Sequence, residues 1–190
     1  MRDLEHAARS FSDLGFTLTP RGVHSIGSKN HCITLASTYI ELLEPSSTHP
    51  WLDYYRTFLE SGNGLAALAL ATPDADASYR ALLERGVTAQ APMDLARPVQ
   101  AGGEDRMARF RIVPVSNQVF LCQHLTRELV WRREWQSHAN GAIDIAAVDF
   151  AGERPFEGAP TTVRWGASSA LYLRGFATTA HAHGVTLRPG

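Results

Sequence analysis

Between Asp3 and Leu14 the apolar residues Leu4, Ala7, Ala8, Phe11 and Leu14 recur at helical spacing, and Gly15 follows where a left-handed cap would close the helix. The pattern returns from Thr72, read as an N-cap with Pro73 in the first turn, through Tyr79, Leu82 and Leu83 to Gly86. The two copies align without a gap, matching Asp3 with Asp74, Arg9 with Arg80, Gly15 with Gly86 and Thr17 with Thr88. Such a long-period repeat predicts a duplicated structural unit.

Strand-like runs rich in β-branched and aromatic residues follow each helix: 16–19, 31–36 and 38–43 after the first, 107–113 and 118–124 after the second. The stretch 91–105, punctuated by Pro and Gly, reads as a loop. A further strand, GLAALALA at 64–71, leads into the second helix, whereas the sequence opens at Met1 where the first copy would have its counterpart. The chain thus divides into a first unit at 1–63, a second at 64–130 and a C-terminal extension at 131–190. A sheet short of one strand leaves backbone groups unpaired. The apolar run 141–148 (GAIDIAAV) is expected in the vacant place, from within the chain or from a second subunit; a start set too far downstream is the alternative. The tail carries Pro and Gly up to Gly166, then a helix-compatible stretch at 168–183.

A hydrophobic fraction of 44% suits a globular domain, and no apolar run approaches the roughly 20 residues of a membrane span. The formal net charge of -1, without a basic patch, argues against a nucleic-acid partner. Cys32 and Cys122 both fall in strand candidates and read as buried free thiols. With a charged, amphipathic opening segment, they point to a reducing cytoplasm.

The segments DLEHAARSFSDLGFTLTPRG, the pair Asn30 and His31, YIELLEP, and FLCQHLTRELVWRREWQSHANGA resemble the glyoxalase-like branch of the vicinal oxygen chelate superfamily over residues 1 to about 150. The resemblance implies an α+β fold of tandem βαβββ modules, whose strands form a curved mixed sheet around a small-ligand cavity. Here the first strand of module one is missing. It also implies a homodimer and, in many members, a divalent metal such as Zn, Ni, Mn or Fe. The usual ligands are a His on the first and a Glu on the last strand of each module. Glu41 matches the last-strand carboxylate of module one. In module two the first-strand positions are Leu65 or Ala67, and the inward set of the last strand is either Phe120, Cys122 and His124 or Val119, Leu121 and Gln123.

A carboxylate on a cavity-lining strand suits a general base or a metal ligand. Alternation would place Tyr39 and Leu43 beside Glu41 and turn Glu44 away. His124 and His31 are the imidazoles expected to assist catalysis, with Glu41 and His124 as candidate metal ligands. Tyr39, Asn30, Arg109, Phe120 and Cys122 are the candidate ligand contacts. Arg109 and Arg111 share one side of a strand and would pair with a carboxylate if that side faces the cavity. Trp131 and Trp135 are spaced for one helical face packed on the sheet, and His181 and His183 have a spacing met in metal sites. The expected function is glyoxalase-like lyase or isomerase chemistry on a small oxygen-rich or α-keto molecule, metal-assisted or not. The alternative is a metal-free protein that binds or sequesters a small ligand.

Overall fold

Asp3 accepts a hydrogen bond from the His6 amide at 2.8 Å and so starts helix α1 (Leu4–Asp13), which ends in Gly15 at φ 83°. In the computed structural model, which describes residues 1–190, α1 is followed by β1 (Gly22–Val23), β2 (Lys29–Thr34) and β3 (Tyr39–Glu44). A 3₁₀ turn at Pro50–Leu52 then leads into α2 (Asp53–Glu60). The second unit is β4 (Leu68–Ala71), α3 (Ala75–Glu84), β5 (Met93–Ala101), β6 (Glu104–Pro114) and β7 (Val119–His124). Asp74, rather than Thr72, caps α3, accepting from the Ala77 amide at 2.9 Å; Thr72 instead bonds the Asp74 backbone. Gly86 ends that helix at φ 73°, so the sequence repeat is a structural one.

The first unit pairs β1-β2-β3 and the second β4-β7-β6-β5. All pairings are antiparallel except β4 with β7, where the crossover through α3 to β6 allows a parallel neighbour. The two sheets meet where Ser25, just past β1, donates from its amide to the Ala96 carbonyl of β5 at 2.7 Å. Together they curve around a common hollow without closing into a barrel, because β3 and β4 remain free edges.

The remaining strands β8 (Asp144–Ala151), β9 (Val163–Gly166), β10 (Ala170–Arg174), β11 (Ala180–Ala182) and β12 (Val185–Pro189) form a five-stranded sheet in the order β11-β12-β10-β8-β9. Two expectations change here. The run 141–148 does not take the vacant place beside β3; as β8 it pairs with β9 and β10. The stretch 168–183 is not helical, because Leu171 and Leu173 alternate into the core and Gly175, at φ 78°, turns the chain.

This third sheet packs over α1. Leu4, Ala7 and Phe11 meet Ile33 and Leu42 on one side and Phe150, Leu173 and Leu187 on the other, all essentially inaccessible. Each of the Leu, Ile and Phe side chains contributes about 1.5–3 kcal/mol by leaving water. The HANGA stretch fixes the junction. His138 accepts from the Thr17 amide at Nδ1 (3.1 Å) and donates from Nε2 to the Thr34 carbonyl (3.1 Å), while Asn140 donates to the Leu14 carbonyl at 2.8 Å.

Candidate functional site

The hollow between the two sheets is a cavity of about 820 Å³, with mostly apolar walls. Its polar face is built by the first unit. β3 carries Tyr39, Glu41 and Leu43 along one side, as alternation predicts, and Glu44 turns away to Lys29 and the Leu4 amide. β2 adds Asn30 and Cys32 from its matching face, and the turn after β1 adds His24.

Glu41 is one-quarter exposed; its Oε1 accepts from Asn30 Nδ2 at 2.6 Å and lies 3.8 Å from His24 Nε2. His24 is steadied at Nδ1 by the Ser28 hydroxyl at 3.0 Å. Burial lowers its pKa more than the Glu41 charge raises it, so the imidazole favours its neutral form. Neutral His24 beside Glu41 can relay a proton, and the Asn30 amide holds the carboxylate in one orientation.

Opposite stands Arg97 of β5, only 3% exposed and engaged in no ion pair. It lies alongside Cys32, whose thiol burial pushes up to about 12. Gly22 makes room for the arrangement: a Cβ there would come 2.5 Å from Asn30 Oδ1 and 3.0 Å from Arg97 Nη1. A buried guanidinium without an anion is costly unless a ligand supplies one.

Apart from Arg97, the second unit provides a largely apolar wall. Phe120, Cys122 and His124 of β7 line the cavity, while Leu121 of the alternative set packs beneath α3 with Ala75 and Leu82. His124 touches Tyr39, Phe110 and Trp131 edge to face, with ring centroids 5.7, 5.1 and 4.8 Å away. Burial in this aromatic cage, helped by the charges of Arg127 and Arg97, lowers its pKa to about 4. Three cavity residues keep buried polar atoms without partners: Asn30 Oδ1, His124 Nδ1 and Trp131 Nε1. Those atoms offer hydrogen bonds to a guest.

Of the expected site residues, Glu41, Tyr39, Asn30, Phe120, Cys122 and His124 all border this cavity. His31 does not; its Nδ1 binds the Thr19 carbonyl at 2.7 Å on the opposite face of β2. Arg109 is exposed on the outer face of β6, and its neighbour Arg111 is held there by Asp76 (2.8 Å) and Asp94 (2.7 Å). Trp131 is not on a helical face. The chain makes only 3₁₀ turns at Arg127–Leu129 and Arg133–Trp135, and Trp131 enters the cavity with Arg127 3.7 Å above its ring. His183 bonds Ser10 and the exposed His181 bonds Thr186, so these two share no site.

Arg97 and His24 were not anticipated. Arg97 hides in the stretch 91–105, read as a loop because of its prolines and glycines; it is in fact an edge strand, where Pro98 is tolerated. The telling signal is alternation: Met93, Leu95, Arg97, Val99 and Ala101 share one face, with a single charge in an apolar register.

The donors do not fit the divalent metal that the resemblance implies. Glu41 has one imidazole, His24, beside it, and nowhere do three His, Cys, Asp or Glu side chains converge. His124 is enclosed by aromatic rings, and Phe120 stands at the place in module two that Glu41 holds in module one. No helix is long and apolar enough to cross a membrane.

No curated protein and no solved structure matches the sequence. The model of a family described as glyoxalase-like domain matches residues 1–167. Duplicated α+β units, a curved sheet around a cavity and this match agree: the chain belongs to the glyoxalase-like domain family of the vicinal oxygen chelate superfamily.

Proposed function

We propose that the cavity takes a small α-keto carboxylate and that Glu41 acts on the carbon next to its carbonyl. The observation that carries this reading is Arg97, a 3% exposed guanidinium facing a cavity in which no side chain pairs with its charge. A planar carboxylate matches its fork of donors, and the aromatic wall of Tyr39, Phe110 and Trp131 suits a short apolar remainder. With the ligand so held, Glu41 lies where a base would be needed. It takes the proton as the C–H bond breaks, the electron pair moves into the carbonyl as an enolate, and Arg97 and the Asn30 amide stand near the developing charge. The proton is then passed through His24 to the enolate oxygen, so that the C–H bond lost is replaced by an O–H bond and the product is the enol tautomer.

A second reading, ligand binding without turnover, is favoured by the presence of a single carboxylate: module two answers Glu41 with Phe120. Calorimetry and turnover assays on a panel of 2-keto acids and their amides separate the two. Arg97→Met is expected to weaken acid binding at least 30-fold, about 2 kcal/mol, and to leave the amides unaffected. Glu41→Gln should keep binding and abolish turnover if the chemistry is present. Equal affinity for acids and amides in the unmodified protein would sink the carboxylate assignment, and binding with no turnover of any acid would leave the sequestering reading.

A further inference from the structure

The side chains bordering the cavity are unbalanced in charge. Glu41 is the one carboxylate among them, against the guanidinium groups of Arg85, Arg97 and Arg127. None of the three arginines is in an ion pair. Arg85 is exposed and donates to the Glu157 carbonyl. Arg127 remains, exposed where the cavity meets solvent, with its guanidinium 3.7 Å over the Trp131 ring.

The backbone fixes that stack. The Arg127 carbonyl accepts from the Val130 and Trp131 amides, both at 3.0 Å, and this turn brings Trp131 back beneath the side chain that precedes it by four residues. Stacking uses the face of a guanidinium and leaves the N–H groups in its plane free for an anion. Glu128, the nearest acidic residue in the chain, is turned toward Arg106 at 3.8 Å.

The second sheet sets Arg97 and Arg127 apart. Arg97 of β5 lies opposite Ala108 of β6, and Phe110 of β6 lies opposite His124 of β7. Arg97 and His124 are therefore two strands apart, about 10 Å at the usual spacing of a sheet. The rings of Phe110, His124 and Trp131 follow one another at 5.1 and 4.8 Å, and Arg127 covers the last of them. The charges of both arginines reach His124 and help keep it neutral, so the ground between them carries no charge of its own. Two unanswered cations with a strip of rings between them match a ligand that is anionic at both ends and apolar in the middle.

We propose that the ligand is a 2-keto diacid. The carboxylate beside its carbonyl meets Arg97, a short methylene chain crosses the rings of Phe110, His124 and Trp131, and the second carboxylate meets Arg127. This rests on the α-keto carboxylate reading of Arg97 and adds the group that selects the far end of the molecule. Arg127 binds and takes no part in the proton transfers at Glu41.

Compounds of one chain length separate the two claims: 2-oxohexanamide, 2-oxohexanoate and 2-oxohexanedioate. Calorimetry on the intact protein is expected to show the monoacid binding more tightly than the amide, which reports Arg97. The diacid should gain a further factor of about ten or more, which reports Arg127. Arg127→Met keeps an apolar chain over Trp131 and the same backbone turn. It should bring the diacid down to the affinity of the monoacid and leave the monoacid unchanged, whereas Arg127→Lys should recover part of the gain. If the monoacid outbinds the amide but the diacid gains nothing over it, the second subsite is overturned and the reading of Arg97 stands. A preference for the diacid that survives Arg127→Met overturns the assignment to Arg127. Equal binding of monoacid and amide removes both claims together.

Discussion

Asn30 donates from Nδ2 to Glu41 Oε1 at 2.6 Å, yet its own Oδ1 has no partner although the residue is only 1% exposed. The amide is therefore committed on one side and free on the other, beside the uncommitted Arg97. A buried polar group is left half satisfied in this way where a guest completes it. Asn30→Ala removes the donor that orients Glu41 and opens a small void. The expected result is a loss of about 1–3 kcal/mol in urea unfolding, together with weaker ligand binding. If stability fell but affinity for every ligand in the panel stayed the same, the orienting role would be refuted.

Gly22 offers a second probe of the same corner. Its missing side chain is what lets Asn30 and Arg97 approach the backbone of β1, and an added Cβ would push against the Asn30 Oδ1 and Arg97 Nη1 ends of these two buried side chains. Gly22→Ala is expected to lower ligand affinity tenfold or more while shifting the melting temperature by only a few degrees. Isothermal titration alongside thermal denaturation checks both halves of that statement.

Much of this corner could be read from the chain and part of it could not. The repeat was legible because helix caps and glycines are local signals, and the YIELLEP alternation sets Tyr39 and Glu41 on the side of β3 that lines the cavity. Arg97 was hidden by punctuation: Pro98 is tolerated in an edge strand and Gly102–Gly103 is the hairpin turn that follows it, yet both read equally well as loop. The third sheet escaped notice because its strands are short and interrupted, and their pairing, β10 parallel to β12 and antiparallel to β8, is fixed by non-local contacts. His31 was misplaced by a one-residue question of register. Asn30 and Cys32 look inward, so the residue between them must look out.

Protonation of His124 sets an acid limit on stability. Its folded-state pKa lies near 4, below the ordinary 6.5, so the unfolded chain binds the proton more readily. This contribution is fully present above about pH 6.5 and is lost progressively as the pH falls toward 4. Buried His24 and His138 shift the same way, for the same reason of desolvation. Urea titrations at pH 7 and pH 5 should show lower stability at pH 5, and His124→Gln should reduce that difference. An unchanged pH dependence in the variant would show that His124 titrates normally.

Asp144 holds the third sheet to the first unit. The residue is 2% exposed and receives the Ser37 amide (3.1 Å) and hydroxyl, the Thr38 amide (3.1 Å) and hydroxyl, its neighbour's amide from Ile145 (3.1 Å) and Arg174 Nη2 (3.2 Å). Burial acts to raise its pKa, but the bonds from Ser37, Thr38 and Ile145 together outweigh it and hold the carboxyl below the usual 3.8. The group therefore adds stability that is complete above the unfolded pKa and disappears as the pH falls through the lower, folded value. Asp144→Asn turns one acceptor into a donor facing donors, so a loss of about 3 kcal/mol is expected, together with a flatter acid limb below pH 4. Because the break falls at the junction, the amides of β8 and β10 should exchange faster in the variant while those of β6 and β7 keep their protection. Uniform acceleration across both groups would mean that the third sheet unfolds with the rest and that Asp144 is no separate tether.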